Sequence, residues 1–493
     1  MNAKVFLPRN RPAWVSRTVL TALALFLVSH IQPASSQPGE PPEKPIFTII
    51  VTRHGVRAIS VKEKDDSTPQ SPNYFFPPWV DGDNKEVGDN NLTHHGYDLI
   101  KLMGEFYREK QRLKGLPVDC PGNTAFVYAD TDQRTLGTAH ALIEGLCDSS
   151  PNALTVFHAR DCPHPKTDDC AKDPIFDATE RLSQLGGRIN FSESRNAVVG
   201  VAGTPPWPIL IQNADDFARF QRLLDTRCPG GACKPLEYNV PTASRIDSTR
   251  NGKPWLAELK GPLATARLYS ENIFLEYAQC RPEREMTSLD EEDLQAAMQA
   301  GMRLHVLSYF VNARNGYNPI VRGATLLAHI VDMFDQKAGR PSRLSVTTPP
   351  ELDGKTLAIF SGHDTQLGAL GGMLIANWMP EHGIVLDDMP PGSAIVFDLV
   401  RRPEGYYVRT TFASMALKQF RNEKLIEKGI NLVTAQGLLS LTLLEELALW
   451  YENVGLVVED KWNPLSSPAE NDPDPGSWPS GLKDPSWTDC NAQ

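Results

Sequence analysis

Positive charge is scarce in this chain. Its 493 residues carry 49 Lys and Arg against 60 Asp and Glu, a balance that argues against nucleic acid or anionic lipid as a partner. Long apolar runs are lacking as well: the run TVLTALALFLV, Thr18 to Val28, is too short for a membrane span. No internal repeat is present. The stretch CPHPKTDDC offers Cys162, His164 and Cys170 but no second ligand pair at a zinc-site spacing, and the remaining histidines form no spaced set with carboxylates. Neither a metal nor a cofactor is expected.

The first 36 residues read as a cleaved secretory signal. Lys4, Arg9, Arg11 and Arg17 form its basic end, Thr18 to Val28 its apolar centre, and Ala34-Ser35-Ser36 a small-residue cleavage site. Removing the leader leaves 45 basic residues against the same 60 acidic ones, a formal charge of −15. Export points to the periplasm or the medium and to a chain that leaves the membrane after cleavage. It also makes the eight cysteines a candidate set of four disulfides. Cys228 with Cys233, across CPGGAC, is the first expected pair, and Cys162 with Cys170 the second. A monomer is expected, and an anionic small substrate would need positive charge gathered locally.

About 457 mature residues suggest more than one domain. From residue 37 to 160 strand-like and helix-like runs alternate, as in an α/β sheet with flanking helices. Residues 161–345 read as an inserted, mainly α-helical cap domain, in which Ser288 and Glu291 suggest a capping box. Strand character returns in 346–493, with a hairpin around Pro403-Glu404-Gly405. The Pro- and Asp-rich tail from Asn463 reads as a surface strap, tied down if Cys490 is bonded.

Three stretches carry chemistry. In TIIVTRHGVR an apolar strand runs straight into Arg53, His54 and Arg57, placing them at the carboxyl end of a strand, where open α/β sheets bind ligands. Two guanidiniums beside an imidazole suit a phosphate, and they lower the histidine's pKa by like-charge repulsion, which keeps it nucleophilic. The same cluster also fits a surface loop with acidic neighbours. In KTLAIFSGHD a second strand ends in His363 and Asp364; the aspartate suits either a helix N-cap or a proton donor to a leaving oxygen. In YADTDQRT, Arg134 falls in the first turn of a helix, where a cation is disfavoured unless an anionic ligand is near.

Together with LTHHGYDLIKLMGEFYR at 92–108 and SENIFLEYA at 270–278, these residues resemble the histidine acid phosphatase family, and most closely its bacterial periplasmic phytase and sugar-phosphatase members. The resemblance implies a phosphomonoester as substrate, His54 as nucleophile, Asp364 as proton donor, and a phosphate pocket of Arg53, Arg57, Arg134 and His363. Glu271 matches an acidic position near such a pocket, and it also reads as an exposed helix residue. His305 is placed either in substrate contact or in packing, at helical spacing from Met298 and Met302. Departures from the pattern are Ile59 in place of a proline, His95 before the glycine of an LTPRG-like segment, and Val61 with Lys62 where a substrate lysine often stands. A phosphotransferase or mutase of the same superfamily, and a non-catalytic phosphate-ester binding protein, remain alternatives.

Overall fold

β1 (Pro45–Arg53) is nearly continuous apolar sequence because it is covered on both faces. The computed structural model describes residues 43–59, 76, 78–116, 118, 120, 124–148, 153–158, 173, 175–184, 189–228, 234–250, 252–347, 349–380, 382–458, 482–488 and 490. The leader, and with it the cleavage site, lies outside them. After β1 come α1 (His94–Lys114), β2 (Ala125–Ala129), α2 (Gln133–Cys147) and β3 (Val156–His158). α1 is capped by the Thr93 side chain and ends at Gly115, whose left-handed φ of 79° closes the last turn.

From β3 the chain passes through α3 (Ala178–Gln184), α4 (Phe191–Ala202), α5 (Trp207–Gln212) and α6 (Ala214–Asp225). β4 (Arg245–Arg250) and β5 (Lys253–Lys260) follow, then α7 (Pro262–Ala278), α8 (Glu283–Met286), α9 (Glu291–Asn312) and α10 (Asn318–Lys337). The chain then returns to the sheet in β6 (Leu357–Gly362), α11 (Asp364–Met373), β7 (Ala394–Arg402), β8 (Gly405–Ser414) and β9 (Asn431–Ser440), with α12 (Leu441–Asn453) after it. The sheet order is β3-β2-β6-β1-β7-β8-β9. β3, β2, β6 and β1 pair in parallel, and β1 to β9 through β7 and β8 antiparallel.

Alternate residues of β1 enter opposite cores. Ile50 packs with α1 and α2 on one face, while Ile49 and Val51 pack with α10, α11 and α12 on the other. The expected α/β fold is therefore present, and β7 and β8 form the expected hairpin with Pro403 and Glu404 between them. Two features of residues 161–345 were not anticipated. β4 and β5 form a separate two-stranded sheet, and α10 already belongs to the core of the large sheet. The capping box also needs correction: α9 begins after Asp290, whose carboxylate accepts from the Asp293 amide, and not after Ser288. Asp290 wins because it directly precedes a first turn rich in acidic residues, whose charge suits the helix N-terminus.

The tail is tied as expected, by a disulfide between Cys490 and Cys280. Its Lys483 carbonyl and Asp484 carboxylate accept from the His94 and His95 amides in the first turn of α1. A second disulfide joins Cys120 to Cys147. Cys228 is also disulfide-bonded; its expected partner Cys233, and the pair Cys162 and Cys170, lie outside the described residues. Among the described residues no helix is long and apolar enough to cross a membrane.

Candidate active site

The register of three parallel strands builds the site. β1 and β6 run side by side from Thr48 opposite Leu357 to Arg53 opposite Gly362. β2 pairs with the other edge of β6, Ala129 opposite Ser361. The residues that follow each strand, His54, Asp130 and His363, therefore emerge at one level, and the His54 amide donates to the Gly362 carbonyl at 2.9 Å. Gly55 is required next, since a Cβ there would lie 2.7 Å from Ile100 and 3.0 Å from the Gly96 carbonyl of α1.

His54 is buried, and its Nδ1 lies 2.9 Å from the Gly55 carbonyl oxygen. A carbonyl only accepts, so Nδ1 carries the hydrogen and Nε2 keeps a lone pair. The pKa of His54 is held well below the ordinary value of 6.5, first by burial and then by the charges of Arg134, Arg53, His363 and Arg57. The sequence reading ascribed this to the two flanking arginines. Burial outweighs them, and Arg134 precedes both.

Arg53 lines a small cavity with Glu271, His305 and Asp388 rather than the one that holds His54. It is buried, with one nitrogen donating to the Met389 carbonyl and another to Glu271, and it lies 3.2 Å from Asp364 Oδ2. Burial works against its charge, but Glu271 and Asp364 more than compensate and raise its pKa. Arg57 does line the cavity, with Nη2 3.6 Å from Glu271 Oε1. Arg134 donates to Asp132 Oδ2 at 2.7 Å, so its place in the first turn of α2 already has an anionic partner within the chain.

The second motif supplies the opposite wall. His363 Nε2 lies 2.8 Å from Asp130 Oδ2, and Nδ1 lies 3.4 Å from Arg134 Nη2. His363, and not Asp364, occupies the N-cap position of α11, so the plain-cap reading of Asp364 does not hold. Asp364 is half-buried beside Arg53 and the Tyr309 hydroxyl. Burial pushes its pKa up, but Arg53, the charge of His305 and the Tyr309 hydrogen bond together hold it well below the usual carboxylate range. Glu271 is buried, and so is not an exposed helix residue. His305 lies between Glu271 Oε2 at 3.6 Å and Asp388 Oδ1 at 3.3 Å, with its ring against Tyr309.

His54, Arg57, Arg134, Glu271, His305, His363 and Asp364 all line one cavity of about 410 Å³. Sequence reasoning missed Asp130, Tyr309, Asp388 and Arg267. Of these only Asp130 had a visible signal, since like His54 and His363 it directly follows an apolar strand-like run. Of the departures from the family pattern, Ile59 is buried and His95 bonds the Phe420 carbonyl at 2.8 Å outside the cavity lining, while Val61 and Lys62 lie outside the described residues. Asp130, Asp132 and His363 bring donor atoms within 4.8 Å of one another, as do His95, Cys280 and Cys490. In the first group Asp132 is bonded to Arg134; in the second both sulfurs belong to the disulfide.

A family model described as "Histidine phosphatase superfamily (branch 2)" matches residues 46–413. Phytase AppA of Escherichia coli (strain K12) is 26% identical over 434 residues, covering 85% of this chain and 91% of that protein. The apo form of Hafnia alvei phytase superposes with a TM-score of 0.65 at 25% identity, covering 84% of this chain and 98% of that chain. The Citrobacter braakii phytase, at 23% identity, shares the fold with the same TM-score, covering 84% and 100% of the two chains.

The environment of His54 makes a prediction for solution. Nitrogen NMR should find it neutral, with hydrogen on Nδ1, throughout the range where an ordinary histidine is half protonated near pH 6.5. Arg134→Ala should raise its midpoint. A His54 signal that titrates at or above 6.5 in the wild type would contradict the assigned environment.

Proposed function

Because the chain belongs to branch 2 of the histidine phosphatase superfamily, we propose that it is an exported phosphomonoesterase, working through a phosphohistidine on His54. The observation that carries this reading is the lone pair of His54 Nε2, fixed by the Gly55 carbonyl at Nδ1 and sharing one cavity with Asp364 and the cations Arg57 and Arg134. Nε2 attacks phosphorus in line with the departing alcohol. The N–P bond forms, the ester O–P bond breaks, and Asp364 gives its proton to the leaving oxygen. Water then attacks phosphorus, Asp364 takes a proton back, and the N–P bond breaks to release phosphate.

Asp364 is held ionised in the ligand-free pocket by Arg53, His305 and Tyr309. An entering phosphate ester adds negative charge beside it and so favours its protonated form, which readies the donor only when substrate is present. Arg57, Arg134 and His363 hold the equatorial oxygens and stabilise charge that grows in the transition state. Guanidiniums thereby fill the place a divalent metal takes in other phosphatases. The Gly55 carbonyl supports the positive charge that His54 acquires when its Nε2 is phosphorylated.

A second cavity of about 440 Å³ adjoins the first, shares Arg250 and Arg267 with it, and adds Lys260 and Arg322 around a single acid, Glu258. This excess of cations suits a substrate that carries further phosphates on the leaving alcohol. With a phytase among the relatives, a polyphosphorylated alcohol such as phytate is the substrate we favour over a sugar monophosphate.

Two sets of variants test these assignments. His54→Ala should lose several powers of ten in turnover on every ester, on the order of 10⁴-fold or more. Asp364→Asn should lower kcat/KM by about 10²- to 10⁴-fold for a sugar phosphate, and far less for nitrophenyl phosphate, whose leaving group needs no proton. Equal losses on both esters would remove Asp364 from the donor role. The paired change Arg250→Ala with Lys260→Ala should cost about tenfold in kcat/KM on phytate, as expected for a lost charged contact, and under about twofold on nitrophenyl phosphate. Parallel losses on both would rule out the second cavity as a leaving-group site.

A further inference from the structure

Several groups hold the Asp364 carboxylate, and one of them carries no charge. Arg53 at the end of β1 lies 3.2 Å from Oδ2, and the charges of His305 on α9 and of His363 at the cap of α11 also favour the ionised form, while Glu271 on α7 repels it. The neutral partner is Tyr309, whose hydroxyl donates to the carboxylate. Burial, and then the charge of Asp364, push the pKa of Tyr309 well above its ordinary value of 10, so the hydroxyl keeps its hydrogen.

The fold fixes Tyr309 in this place. It follows His305 by about one turn of α9, and the two rings meet with centroids 5.1 Å apart. The ring is buried and packs on α11 at Gly368, where a Cβ would lie 3.2 Å from Tyr309 Cδ1. Gly368 stands four residues after Asp364 in α11 and so shares its face. Bare backbone thus seats the ring, and the carboxylate one turn earlier receives the hydroxyl. The location also bears on the substrate. Glu271, His305 and His363 line the cavity of His54 and not the second one, whereas Tyr309 lines both. An alcohol that leaves phosphorus at His54 with further phosphates in the second cavity spans that boundary.

We propose that Tyr309 is the positioning residue of Asp364: its hydroxyl holds the carboxyl at the boundary of the two cavities and stays bonded to it while the proton passes to the leaving oxygen. This rests on the reading of Asp364 as the proton donor. In that step the O–H bond of the Asp364 carboxyl breaks, the electron pair of the ester O–P bond goes to the departing oxygen, and the O–H bond of the alcohol forms there; the Tyr309 hydrogen stays on Tyr309. A hydrogen bond to a carboxylate is about twice as strong as one to a neutral group. The Tyr309 bond therefore strengthens as the proton departs, and an interaction stronger in the transition state than in the bound complex speeds the step. The Thr365 hydroxyl lies 3.4 Å from Oδ1, beyond the ordinary O–H···O range.

Tyr309→Phe keeps the ring on Gly368 and removes only the hydroxyl. Rapid quenching at saturating ester and acidic pH gives the rate constant for phosphorylation of His54, which reports the step that uses Asp364 and is blind to hydrolysis of the phosphohistidine. Tyr309→Phe should lower it about tenfold on a sugar phosphate, as for a lost hydrogen bond to a charged group, and under about twofold on nitrophenyl phosphate, whose leaving group needs no proton. The near-normal rate on nitrophenyl phosphate also shows that the variant is folded. Added to Asp364→Asn, the same change should cost under about twofold on the sugar phosphate, because the carboxylate it serves is gone. Equal losses on both esters, or a full further loss in the Asp364→Asn background, would make Tyr309 merely structural and overturn the proposal. If Asp364→Asn itself slows both esters equally, the donor reading falls and this one with it. If Asp364→Asn discriminates between the esters and Tyr309→Phe does not, the role of Tyr309 falls alone.

Discussion

A guanidinium buried at the end of a central strand keeps its charge only if carboxylates come to it, and Arg53 brings two. Glu271 arrives on α7 and Asp364 on α11, while the Met389 carbonyl closes the third side. Removing one member of such a buried group typically costs about 3–5 kcal/mol, because the others are left charged without a partner. The strand, the helix that follows β6 and a helix of the segment between β3 and β6 are therefore joined at one point. That point is adjacent in the chain to His54, whose backbone is fixed by its amide on the Gly362 carbonyl and whose ring is fixed by the Gly55 carbonyl.

The same arrangement divides the work among the cations. Arg53 donates to Glu271 and lies 3.2 Å from Asp364, while Arg57, Arg134 and His363 line the open cavity. Both flanking arginines and Arg134 still disfavour a proton on His54, and its burial disfavours it more. Asp364 is held in the opposite sense, ionised although partial burial works against its charge. In the proposed mechanism the pocket thus pairs a nucleophile without a proton with an acid that gains one beside an added anion, as a two-step phosphoryl transfer needs.

Much of this was legible in the sequence wherever a strand ends in chemistry. β1, β2 and β6 are buried on both faces, so each reads as an unbroken apolar run, and the residue after the run falls at the carboxyl end of the sheet. That rule found His54 and His363. It passed over Asp130, because only the register of β2 on β6 shows that its carboxylate reaches the second histidine. Glu271 and His305 stayed undecided for a different reason: helical spacing places a residue on a face without saying whether that face meets a core or a cavity. The hairpin of β4 and β5 escaped because RIDSTR is polar and half-exposed, with no alternation to mark it. The N-cap of α9 was misplaced because Ser288 and Asp290 both offer an acceptor near the same turn.

The central claim is that His54 Nε2 becomes covalently phosphorylated. The most direct measurement is to quench the wild type into alkali during steady turnover, digest it, and locate phosphate by mass spectrometry under conditions that preserve phosphohistidine. The account predicts one phosphopeptide, carrying phosphate on Nε2 of His54 and absent from His54→Ala. Phosphate mapped to another residue during full turnover would contradict it.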